Sequence, residues 1–153
     1  MAEVGERKPV SAEKKNSRRV AKICEQMTYS GREAFKRLRT NVTISLVEDP
    51  EKKCRVIGVT SAHPSEGKIT VTINLAYSFA ELGKSVLLID GDMRRPTVHS
   101  NVGAQISPGL SEVLTGTENL KNAVIRYKSS TDRTYFDLIP AGELPANPSE
   151  LLN

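Results

Sequence analysis

Tryptophan is absent from this 153-residue chain, aromatic residues make up only 5% of it, and there are just two cysteines and two histidines. Each scarcity excludes something. Cys24 and Cys54, with His63 and His99, fit no zinc-binding spacing, and two distant cysteines make no disulfide framework. Both cysteines are expected to serve as packing residues. Aromatic and basic residues do not interleave and no recognised DNA- or RNA-binding pattern occurs, so no nucleic-acid partner is expected. The longest apolar runs, such as Val86-Leu87-Leu88-Ile89, are strand-sized, far below the roughly 20 residues of a membrane helix. No apolar segment follows the charged N-terminus closely enough to act as a secretory signal. The expected location is the cytoplasm.

What remains is the composition of an ordinary globular domain, 38% hydrophobic and 26% charged. The net charge of +4 sits in the first 22 residues, where seven Lys and Arg face three Glu. Residues 1–28 are read as a flexible basic tail and 29–153 as the folded part. Such a tail is mainly solvated, although anionic lipid or an acidic partner would suit it.

Ser30 followed by Glu33 resembles a capping box, and Ala34, Phe35, Leu38 and Val42 recur at helical spacing, predicting a helix from about Gly31 to the mid-forties. The run Arg55–Thr60 predicts a buried strand. A helix is expected from near Gly67, with Val71, Leu75, Phe79 and Leu82 inward and Gly83 as its stop. Ser85–Ile89 predicts a second strand, Leu110–Leu114 and Leu120–Tyr127 two helices, and Tyr135–Pro140 a third strand. Pro148 marks the start of a last helix. Alternating strands and helices imply an α/β fold with a doubly wound, mostly parallel sheet, and the Gly67-Lys68 turn between a strand and a helix makes it of the P-loop NTPase type. Three strands are few for it, so the domain is expected to be incomplete.

The segment with most chemical content is Ala62-His63-Pro64-Ser65-Glu66-Gly67-Lys68-Ile69-Thr70. Strand, tight loop, Gly-Lys and helix make a phosphate loop, in which backbone N–H groups and a helix N-terminus meet an anion. Gly67 lets the backbone approach closely, and Lys68 reaches the terminal phosphates. Pro64, Ser65, Glu66, Gly67, Lys68, Ile69 and Thr70 are therefore the candidate ATP-binding residues. Ile69 breaks the G-x-x-x-x-G-K-S/T pattern where a hydroxyl normally meets Mg²⁺, which prefers oxygen. Thr70, one residue along, is the substitute candidate.

The second motif is Ile89-Asp90-Gly91-Asp92-Met93-Arg94-Arg95-Pro96, at the carboxyl end of a predicted strand, where ligands of open α/β sheets sit. Alternate residues of an extended chain face one way, so Asp90 and Asp92 can address one metal. The plainer possibility is that Asp90 caps the loop and Asp92 pairs with Arg94 or Arg95.

The two motifs together resemble bacterial tyrosine kinases that control capsule and exopolysaccharide synthesis. The resemblance extends to Thr60-Ser61, Asn74-Leu75-Ala76, Gly109–Leu114 and Asn147–Leu152, and covers the chain from about Ser30 onward. It implies Mg²⁺- and ATP-dependent autophosphorylation of tyrosines on a neighbouring subunit. Lys68, Asp90 and Asp92 would be catalytic, and Asp90, Asp92 and Thr70 would serve the metal. It also implies a homo-oligomer joined through the Glu33-x-x-Lys36-x-x-Arg39 helix, and a membrane-bound activator, the chain-length regulator of polysaccharide export, that would hold the protein at the inner face of the membrane.

Three departures bear on activity. Ser65 stands for a usual glycine, a mild change if the loop avoids positive φ there. Ile69 replaces the metal-binding serine. The family's next acidic strand, the Walker B element, and its tyrosine-rich tail are expected beyond Leu152, so activity is expected to be impaired. The rival reading is a non-catalytic nucleotide-binding regulatory module. A partitioning or cell-division ATPase of the same superfamily is disfavoured, because His63 stands where that group carries a lysine.

Overall fold

The structure, a computed structural model, describes residues 23–46 and 54–151. The predicted basic tail up to residue 22 lies outside the described residues. Its end does not behave as a tail: Ile23 is buried in the core, and a 3-10 turn over Cys24–Gln26 follows it.

Helix α1 spans Tyr29–Ser45. Its N-cap is Thr28 rather than Ser30; the Thr28 hydroxyl accepts from the Gly31 N–H at 3.4 Å, while Glu33 turns to Lys36 at 3.0 Å. Helix α2 spans Lys68–Ala80 and is the apolar centre of the molecule. Ile73, Ala76, Tyr77 and Ala80 enter the core together with Leu88, Val98, Phe136 and Leu138. The expected inward stripe shifts accordingly. Leu75 is buried, Val71 and Phe79 are half-buried, and Leu82 is exposed because the helix ends before it.

The sheet has three strands in the order β1-β3-β2, with β1 over Leu87–Ile89, β2 over Ile125–Lys128 and β3 over Tyr135–Ile139. β1 and β3 run parallel, pairing Leu88 with Leu138, whereas β2 and β3 are antiparallel, pairing Tyr127 with Phe136. This is an α/β arrangement around a small mixed sheet. The helix expected over Leu120–Tyr127 gives way after Leu120–Ala123, a single turn (α5), and Tyr127 belongs to β2 instead. Its ring stacks on Phe136 at 4.9 Å, an aromatic cross-strand pair that stabilises the hairpin.

Two other predicted elements do not form. Residues 55–60 form no helix or strand and pair with no described strand, and Val56 is 88% exposed. A strand exists only through its partner's hydrogen bonds, and no described strand pairs with this run. The C-terminal helix expected from Pro148 is a turn over residues 148–151. Cys54, expected to pack, is exposed; the side chain of Cys24 is not among those described.

Short helices α3 (Val98–Asn101) and α4 (Leu110–Leu114) complete the fold. α4 is fixed by the loop that follows β3: Leu110 and Ser111 donate their N–H groups to Pro140 O and Ala141 O at 2.7 and 2.9 Å. Glu112 fastens the same junction, accepting from the N–H groups of Gly109 at 2.7 Å and Glu143 at 2.9 Å and from the hydroxyls of Ser107 and Ser111. Burial opposes its ionisation, but these bonds prevail and hold its carboxyl below the usual glutamate range. A depressed folded-state pKa gives stability that is present above the unfolded value and lost as pH falls through the folded one. Glu112→Gln should therefore cost about 2 kcal/mol near neutral pH, and that deficit should shrink in acid. Urea melts of both proteins across the carboxylate range check this; a deficit that grows in acid would reverse the sign assigned here.

Candidate nucleotide-binding site

Residues 61–67 lead into α2 as a tight loop. Ser61 Oγ donates to His63 O at 3.1 Å, and the His63 N–H donates to a Glu66 carboxylate oxygen at 3.1 Å, so Glu66 folds back to brace the turn. Gly67 is the N-cap of α2 at φ 89°, a left-handed backbone that glycine adopts without strain. Ser65 also takes a left-handed conformation, at φ 67°. The replacement of glycine at this position is therefore not mild, because a Cβ is disfavoured there. Ser65→Gly should raise stability by about 0.5–1 kcal/mol in denaturant melts, and a loss of stability would exclude this loop conformation.

Pro64, Ser65 and Glu66 are exposed, whereas Gly67, Lys68, Ile69 and Thr70 are half-buried. Ile69 packs against the hydrophobic core, which explains how an apolar residue is accommodated at that position. Thr70 contributes its carbonyl to Asn74 Nδ2 at 2.7 Å.

Asp90 and Asp92 lie just past β1. The Asp90 N–H donates to Ile139 O at 3.0 Å and so extends the parallel ladder by one residue, fixing where the turn begins. Asp90 is only 4% exposed. One of its oxygens accepts from the Asp92 N–H at 3.1 Å and the other from the Val98 N–H at 3.2 Å. Burial, the largest influence, pushes its carboxyl above the ordinary aspartate range; N–H bonds from Asp92, Val98 and Thr97 oppose the rise and the Asp92 charge adds to it. Asp92 is more accessible. Its Oδ1 accepts from the Arg95 N–H at 3.1 Å, and its Oδ2 meets Lys68 Nζ at 3.2 Å. Loop-capping by Asp90 is thus realised, while the pairing of Asp92 with an arginine is limited to the Arg95 backbone. Arg94 instead donates to Ser149 Oγ.

The Lys68–Asp92 contact joins the two sequence motifs into one place at the carboxyl end of β1 and the N-terminus of α2. Among the described residues no group of three or more His, Cys, Asp or Glu could cage a metal. Mg²⁺ commonly uses one or two carboxylates, with substrate phosphates and waters completing the shell. The two aspartates fit a metal brought with a nucleotide, and the loop with Lys68 fits its phosphates. The side chain at Ile69 supplies no oxygen to either.

The three residues of the α1 motif are not presented together. Glu33 and Lys36 pair with each other on the surface side of α1, while Arg39, its side chain 12% exposed, donates to Ser78 O near the end of α2 and lies 3.7 Å from Glu81. Sequence reasoning missed a further polar cluster, in which Glu25 accepts from Tyr127 Oη at 3.0 Å and from the Ser130 N–H at 3.0 Å. These partners are over a hundred residues apart, and no spacing rule reveals them. Among the described residues no helix is long and apolar enough to cross a membrane.

Residues 54–152 match the family model described as AAA domain. The chain is 37% identical over 121 residues to the tyrosine-protein kinase YwqD of Bacillus subtilis, covering 79% of this chain and 48% of that protein. It is 38% identical over 120 residues to the tyrosine-protein kinase wzc of Salmonella typhimurium, covering 78% of this chain and 16% of that one. The solved kinase domain of Escherichia coli tyrosine kinase ETK superposes with a TM-score of 0.72 at 34% identity, over 80% of this chain and 46% of that one. The chain thus spans less than half of each of these three relatives. It belongs to the AAA domain family, and within that family it corresponds to part of the catalytic domain of bacterial tyrosine-protein kinases.

Proposed function

We propose that this chain is the ATP-binding part of a protein-tyrosine kinase that regulates capsular or exopolysaccharide synthesis. The observation that carries this reading is the Lys68–Asp92 contact at 3.2 Å, which joins a phosphate loop to an acidic strand end. In the proposed reaction a tyrosine oxygen on a neighbouring subunit attacks the γ-phosphorus of ATP. The bond from that phosphorus to the β–γ bridging oxygen breaks, ADP leaves, and the phenolic proton is lost to a carboxylate or to water. Lys68 and the loop would hold the phosphates, and a Mg²⁺ held by Asp92 would supply charge neutralisation there; such catalysis is mainly positioning and electrostatics. Asp92, the more accessible carboxylate, is assigned to the metal. Asp90 is assigned chiefly to shaping the loop, since its two oxygens already accept N–H bonds.

In the intact domain further strands would extend the mixed sheet into a doubly wound one. Subunits would associate through α1 around Glu33 and Lys36, with Arg39 tying that helix to α2. A membrane-bound regulator of polysaccharide export is the proposed activator, holding the kinase at the inner face of the membrane.

A second reading, a nucleotide-binding module without catalysis, is favoured by one observation: Ile69 packs into the core and leaves the metal without its usual hydroxyl. Purified protein incubated with Mg·ATP separates the two. Nucleotide binding with little or no phosphotyrosine is the expected result for this chain alone. Failure to bind any adenine nucleotide would overturn both readings.

A further inference from the structure

We propose that Lys68 gates the metal site, its ammonium holding the one carboxylate oxygen there whose partner can leave without rebuilding the loop, until nucleotide phosphates draw it away. This rests on the nucleotide-binding reading and adds an order of events to it. Four carboxylate oxygens are gathered past β1, and each has a partner. Those of Asp90 accept from the Asp92 and Val98 N–H groups, and Asp92 Oδ1 accepts from the Arg95 N–H. All three donors are backbone groups of the 90–98 loop and cannot leave without rebuilding it. The fourth oxygen, Asp92 Oδ2, is held by Lys68 Nζ at 3.2 Å. Its partner is the only one on a side chain, a point charge at the end of a flexible four-carbon stem.

A dication arriving alone would have to displace that ammonium or lie beside it, against like-charge repulsion. Both charged side chains are about two-thirds buried, which weakens the screening that would soften the repulsion. Arg94, the neighbouring cation, offers no substitute because it donates to Ser149. A nucleotide changes the balance twice over. Its phosphates offer Lys68 more negative charge than Asp92 does, and they bring ligands of their own for the metal. Binding of the two is therefore coupled, and by linkage the coupling is reciprocal.

The test uses the full chain and Mn²⁺ without nucleotide, followed by the electron paramagnetic resonance signal of the free ion. Removing the ammonium in Lys68→Met should tighten Mn²⁺ binding about tenfold, and the gain should vanish in Lys68→Met/Asp92→Asn. Circular dichroism verifies folding, and Lys68→Gln, which keeps a polar end, takes the place of the Met variant if that one unfolds. Equal or weaker Mn²⁺ binding in the single variant overturns the gate, and so does a gain that survives loss of the Asp92 charge. A parallel titration of the unmodified chain with a fluorescent ADP analogue and Mg²⁺ keeps the two ideas apart. If nucleotide binds while Mn²⁺ affinity is unchanged by Lys68→Met, the gate alone falls. If no nucleotide binds, the nucleotide reading falls, and the Mn²⁺ comparison still decides whether Lys68 blocks the carboxylate.

Discussion

Gly109→Ala should cost about 3 kcal/mol or more, a large share of the 5–15 kcal/mol that holds a typical domain together. Gly109 is buried where the N-terminus of α4 meets the loop after β3. A Cβ added there would lie 2.5 Å from Pro140 O and 2.7 Å from Gly142 Cα, and would also collide with Gly142 N. These are backbone atoms, so no side-chain rotation relieves the clash; relief requires α4 to move away. Movement would break the bonds from Leu110 and Ser111 to Pro140 and Ala141 and would uncouple Glu112 from Glu143. Three adjacent contacts fail together, which is why the effect exceeds that of a single lost hydrogen bond. Urea denaturation gives the cost directly. A variant within about 1 kcal/mol of the unmodified protein would show that α4 does not pack on residues 140–142 as described.

The same junction shows how far the sequence can be read. Leu110–Leu114 is legible as a helix, whereas the bond from the Gly109 N–H to Glu112 that caps its start is seen only in the structure. That this start sits against the end of β3 is a long-range fact, invisible to local pattern. Elsewhere the same division recurs. The glycine at φ 89° before α2 and the two aspartates after β1 are chemical punctuation and stand out in sequence. The run 55–60 carries Val56, Ile57 and Val59, yet apolarity records only a demand for burial and not the neighbour that would satisfy it. Residues 125–128 alternate half-buried and exposed, a strand signal that the helical spacing of Leu120 to Tyr127 obscured. Arg39 reads as a surface charge at helical spacing, but its destination is a carbonyl 39 residues further along the chain. The left-handed Ser65 has no local signature, since serine rarely adopts that conformation by preference.

Lys68→Met should weaken binding of Mg·ATP about 100-fold if the loop works as proposed. The lysine is the charged side chain at the N-terminus of α2 nearest the proposed phosphates, and a charge-assisted contact of this kind is worth about 1.5–3 kcal/mol, roughly a factor of ten to a hundred and more. The loop's N–H groups and the partial positive charge of α2 would remain, so some residual affinity is expected. Backbone consequences should be small. Gly67 sets the start of the helix, the N–H of Val71 reaches Gly67 O at 2.9 Å, and the Lys68 carbonyl rather than its ammonium holds Thr72 Oγ1. Isothermal titration with a non-hydrolysable ATP analogue measures the loss, and a change below about threefold would remove Lys68 from the phosphate site. Because Lys68 holds Asp92 when no phosphate is present, one substitution should move two ligands in opposite directions: nucleotide weaker, lone divalent metal tighter. General damage to the fold would weaken both, so the opposed signs identify Lys68 as the link between the phosphate loop and the acidic strand end.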